Sequence, residues 1–135
     1  MTDERQERRG ASGIDAGGIR PSASYGIADR PEVDGIAVLA LVGELDLAAA
    51  PLLRARIEQA GTGRALVIDF ARVTFVDSAV LKELLRARGE LAANGVRLVL
   101  AGVPMPVRRL LDLTRTSELF EDAENVEAAL TQLSA

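Results

Sequence analysis

Apolar positions along the chain follow two rhythms, and together they predict alternating strands and helices. Residues 25–29 read as a weak strand and residues 36–42, IAVLALV, as a strongly apolar one. The turn formers of residues 31–35 lie between them, which predicts a hairpin. Gly43 breaks the run. Pro51 suits only the first turn of a helix, so a helix is expected from near Ala49, with Leu53, Ile57 and Ala60 on one stripe and Arg54, Arg56 and Glu58 off it. Gly61 and Gly63 stop it. Residues 65–70, ALVIDF, are apolar on both faces and predict a covered or parallel strand. After a connection over residues 72–77, a second helix is expected over residues 79–93. Its apolar face is Leu81, Leu84, Leu85, Leu91 and Ala92, with Lys82, Glu83, Arg86 and Glu90 toward water, and Asn94-Gly95 ends it. A strand over residues 97–101 comes next, then a short helix over residues 104–113 with Val107, Leu110 and Leu111 inward. Leu119-Phe120 adds an edge strand, and a closing helix over residues 124–133 rests on Val126, Leu130 and Leu133.

This order, β β α β α β α (β) α, is that of an α/β domain. Strand–helix–strand units need crossovers, so the core is parallel, and the opening hairpin makes the sheet mixed. Residues 1–23 behave differently. Gly10, Gly13, Gly17 and Gly18 stand there among four arginines and four acids, with almost no large apolar side chains. Such a segment cannot offset its own ordering entropy, which predicts a disordered tail over residues 1–23 and a folded domain over residues 24–135.

Composition then removes whole classes of chemistry. The chain has 135 residues, with no Cys and no His. Disulfides, a thiolate nucleophile and a Ser-His-Asp triad are therefore excluded. Lys82 is the single lysine and follows no glycine-rich loop, so there is no Walker-type phosphate loop. Aromatic residues are 3%, too few for a base-stacking platform, and the net charge of −4 argues against a nucleic-acid partner. No apolar run is long enough to span a membrane and the start of the chain has no apolar leader, so a cytoplasmic domain without a membrane partner is expected. These features favour a small binding or regulatory module over a catalyst.

Two acidic clusters remain, Gly43-Glu44-Leu45-Asp46 and Val76-Asp77-Ser78-Ala79. Both fall at carboxyl ends of expected strands, where sites in open α/β sheets gather. If those strands are neighbours, Glu44, Asp46 and Ser78 approach one another. The plain reading of Asp77-Ser78 is helix capping, and Asp46 suits the positive end of the following helix. Glu44, Asp46 and Asp77 are a trio that a magnesium ion could use, a weak signal when it rests on carboxylate counting alone. No catalytic residue, metal or cofactor is assigned, because no nucleophile and ligand set completes an enzyme.

From about Ser24 to Leu133 the chain resembles the STAS domain, and most closely the single-domain bacterial anti-sigma factor antagonists. The resemblance is carried by LVGELDLAAAPLLRARI at 41–57, LVIDFARVTFVDSAVLKELL at 66–85 and VRLVLAGVPMPVRRLLDLT at 96–114. It implies the STAS fold, a mixed four- to five-stranded sheet with about four helices packed largely on one side. It further implies a non-enzymatic partner switch. In its unphosphorylated form such a protein binds an anti-sigma factor that is also a serine kinase, and so frees a sigma factor. The kinase phosphorylates the serine matching Ser78, and a metal-dependent serine phosphatase reverses this. Glu44, Asp46, Asp77, Ser78, Ala79, Val80 and Lys82 form the implied partner surface of a monomer or weak dimer.

The family commonly carries Asp-Ser-(Ser or Thr)-Gly, whereas this chain has Asp77-Ser78-Ala79-Val80. The second hydroxyl is gone and a branched side chain replaces the glycine. That departure suits an alternative, a STAS scaffold or transporter accessory subunit that is never phosphorylated. Capping by Ser78 would make Ser78→Ala cost about 0.5–2 kcal/mol of folding stability.

Overall fold

The computed structural model describes residues 25–134; the tail expected over residues 1–23 lies outside them. Strands β1 (Tyr25–Val33) and β2 (Ile36–Leu45) form the antiparallel hairpin. Its turn is tighter than the run of turn formers suggests. Only Asp34 (φ 55°) and Gly35 (φ 77°) make it, both in the left-handed region that a two-residue hairpin loop demands. β1 therefore continues through Pro31, where the register slips between Arg30 and Val33. A proline is tolerated there because β1 is the sheet's edge.

Strands β3 (Ala65–Val76), β4 (Arg97–Ala101) and β5 (Glu121–Ala123) add in parallel, giving the order β1-β2-β3-β4-β5. β3 runs well past Phe70 and absorbs most of the segment expected as a connection over residues 72–77. The extension holds two irregularities. Pairing passes from Ala40↔Asp69 to Val42↔Arg72, then from Gly43↔Val73 to Glu44↔Phe75, so β3 carries an extra residue at each step. The side chains that reach the core there are Phe70, Val73 and Val76, spaced by three and not by two. The last strand also differs from expectation. Leu119 closes a 3₁₀ turn (Ser117–Leu119), Phe120 is buried, and β5 begins at Glu121.

Helices α1 (Ala50–Ala60), α2 (Ser78–Ala93) and α3 (Met105–Leu113) cover one face of the sheet. Leu53, Ile57, Leu84 and Leu111 pack there on Leu39, Leu66, Ile68, Phe70 and Leu100. The opposite face, Ile36, Val38, Ala65, Val67, Val99 and Ala101, is covered by Ala129 and Leu133 of α4 (Val126–Ser134). Three helices against one match a sheet covered largely on one side, and cover on both faces explains why ALVIDF shows no alternation. The inward face of α2 differs in detail from expectation. Val80 and Ala87 point into the core, Leu85 is half-buried, and Ala92 is exposed.

At the amino ends of the parallel strands, Arg64 ties three elements together. Its backbone N–H donates to Gly35 O (2.7 Å), its Nε to Asp34 O (2.9 Å) and its guanidinium to Leu133 O (3.0 Å). The approach is so close that a Cβ on Gly63 would sit 2.3 Å from Gly35 O. Among the described residues no helix is long and apolar enough to cross a membrane.

Candidate functional site

The opposite pole is built from the carboxyl ends of β2 and β3. These strands finish in register, Leu45 beside Val76, and Asp77 N–H donates to Leu45 O at 3.1 Å. Each strand runs directly into an extended aspartate, Asp46 (φ −99°, ψ −170°) and Asp77 (φ −97°, ψ 178°). Asp46 Oδ1 accepts from Ala48 N–H (3.0 Å) and caps a 3₁₀ turn (Leu47–Ala49) that leads into α1. Asp77 Oδ1 accepts from Ala79 N–H (2.9 Å) and Val80 N–H (3.2 Å), and so caps α2. A helix start leaves backbone donors without partners, and a short acidic side chain one residue earlier meets them at the favourable end of the dipole.

Capping at the second cluster is thus done by Asp77. Ser78 is the first helical residue, exposed, and its hydroxyl makes no hydrogen bond among the described residues. The expected folding cost of Ser78→Ala from a lost cap is therefore corrected: the serine carries no cap to lose.

Of the other expected surface residues, Glu44 and Lys82 are exposed, and Asp46, Asp77 and Ala79 are half-buried. Val80 is a correction. It is 0% exposed and belongs to the main core, so its side chain offers nothing to a partner. Its position in the first turn of α2 turns it into the same core as Val76 and Leu81, a direction the sequence Asp-Ser-Ala-Val does not reveal. Neighbouring strands do bring the two clusters to one edge, yet among the described residues no three acids gather into a metal-binding group.

Three apolar side chains on this edge stand outside the residues that the sequence pointed to. Leu47 is 69% exposed, Phe75 48% and Met105 63%. They follow or end β2, β3 and the β4–α3 connection. The sequence does hold a signal for two of them, since Leu47 and Met105 both lie off the apolar stripes of the helices they precede or open. The edge thus carries two acidic caps together with exposed apolar side chains.

Further along α2, Glu83 is more covered than expected, its side chain only 11% exposed. It pairs with Arg86, which also reaches Glu90 at 2.7 Å, and Glu83 is the main cause of the raised pKa of the Arg86 guanidinium.

Comparison with known proteins agrees with this fold. The STAS domain family model matches residues 28–129. An anti-sigma factor antagonist from Mycobacterium paratuberculosis is 30% identical, with 83% of this chain and 96% of that one covered and a TM-score of 0.69. The phosphorylated form of the Bacillus cell fate determinant SpoIIAA is 27% identical, with coverage of 80% and 99% and a TM-score of 0.63. A sulfate transporter family protein from Wolinella succinogenes shares the fold at 17% identity, with coverage of 76% and 88% and a TM-score of 0.67.

Proposed function

The chain belongs to the STAS domain family, and from that premise we propose that it is an anti-sigma factor antagonist controlled by phosphorylation of Ser78. Unphosphorylated, it binds an anti-sigma factor serine kinase through the edge formed by Glu44, Asp46, Asp77, Ser78, Ala79 and Lys82, and a sigma factor is released. The kinase turns it off by phosphorylating Ser78, and a serine phosphatase turns it on again. The protein acts by binding and catalyses no step itself. The observation that carries the reading is the Ser78 hydroxyl, exposed at the start of α2 and free of structural duty because Asp77 holds the cap.

The physical basis of the switch is local. A phosphoserine brings about −1.5 to −2 charges at pH 7. In a close-packed interface that charge must be desolvated beside the carboxylates of Asp46 and Asp77. A loss of about 3 kcal/mol there weakens binding more than a hundredfold, with no change of fold required. Burial of Val80 bears on the alternative of a scaffold or transporter accessory subunit. The branched side chain adds packing inside and no bulk outside, which leaves the hydroxyl missing at Ala79 as that reading's remaining support.

The test uses the anti-sigma factor kinase captured by this chain from its own cells. Incubation with ATP should add one phosphate, mapped by mass to Ser78, and abolish binding. Ser78→Ala should take no phosphate and bind as wild type does, and Ser78→Asp should bind more weakly. Absence of phosphorylation, together with equal affinity of wild type and Ser78→Asp, overturns the switch in favour of the scaffold.

A further inference from the structure

We propose that Lys82 is the internal counter-charge for a phosphate on Ser78, a positioning residue that holds the modified side chain against α2. The proposal rests on the reading of Ser78 as the modified residue. Lys82 is the only lysine of the chain and is exposed on α2. It stands four residues after Ser78, a spacing that brings helical side chains to neighbouring positions, with Cβ atoms about 6 Å apart. The anion would precede the cation, which is the favourable orientation for such a pair.

Lys82 has no other use for its charge on this helix. The residues one turn away are Ser78, Ala79, Leu85 and Arg86, none of them acidic, and Lys82 makes no ion pair among the described residues. Arg86, by contrast, is already shared between Glu83 and Glu90. Nor can the helix start serve the phosphate as an open nest. Asp77 occupies the N–H groups of Ala79 and Val80 through Oδ1 and that of Leu81 through its backbone oxygen. The carboxylates nearest in the fold are that of Asp77, one residue before, and that of Asp46, which follows Leu45 where β2 pairs with the end of β3. A phosphate is thus opposed by two carboxylates, and the ammonium one turn away compensates.

Phosphoserine placed at position 78 during translation makes the test independent of any kinase. The second ionisation of that phosphate is followed by 31P NMR in wild type, Lys82→Gln and Lys82→Arg. The cation favours the dianion, so the midpoint in wild type and Lys82→Arg should lie about 0.3 pH unit below that in Lys82→Gln, and high salt should narrow the gap. Equal midpoints in wild type and Lys82→Gln overturn the proposal. A Ser78 that no kinase modifies would defeat the functional reading while leaving this titration as it is.

Discussion

The junctions after β2 and β3 are near copies of each other. Both end a parallel strand in the same register, both pass through an extended aspartate, and both aspartates cap the helical turn after them. They differ in the next residue and in the number of bonds. Asp46 holds one amide and is succeeded by exposed Leu47; Asp77 holds two and is succeeded by exposed Ser78. The comparison separates two jobs that sequence alone merges. The aspartate is structural at both places, and the residue after it is the one the surface presents, an exposed leucine in one case and an exposed hydroxyl in the other.

Three kinds of substitution test this division of labour, in falling order of effect. Val80→Gly should cost about 3 kcal/mol in urea denaturation, because it empties a fully buried site and places glycine in a helix. A loss under about 1 kcal/mol would mean that Val80 is not packed as described. Removing the caps comes next. Asp77→Ala should cost about 1–2 kcal/mol and Asp46→Ala about 0.5–1 kcal/mol, since one cap serves two amides and the other a single one. Equal losses at the two positions would erase the difference between the junctions. Smallest is Ser78→Ala, which should change stability by less than about 0.5 kcal/mol. A cost near the usual cap value of about 1 kcal/mol would return a capping role to the serine.

Much of the fold is legible from residue spacing. The four helices come from the 3.6-residue stripes, the hairpin from the turn formers of residues 31–35, and the parallel core from the double-sided apolarity of ALVIDF. The parts that stay hidden have specific physical causes. The end of β3 reads as connection because two extra residues replace the two-residue alternation by buried positions at 70, 73 and 76. The first turn of α2 is ambiguous because a capping aspartate and a serine beside it have the same preference for that place, and only backbone geometry assigns the cap. Val80 looks like surface because it belongs to the Asp77-Ser78-Ala79-Val80 motif that carries the resemblance, while the apolar stripe of α2 is read only from Leu81 onward. Glu83 looks solvated because a charged residue beside a core stripe gives no sign that arginine covers it. The family resemblance points to Ser78, and the structure supplies the reason its hydroxyl is unoccupied.

The single helix on the second face has a consequence for how the molecule is made. α4 comes after all five described strands, so on the ribosome the strands it covers emerge before it does. Until α4 leaves the exit tunnel, Ile36, Val38, Val67 and Val99 form a bare apolar face on a nascent chain whose other face can already close over α1, α2 and α3. Until then the chain carries an uncovered apolar sheet face, the kind of transiently exposed surface that favours aggregation.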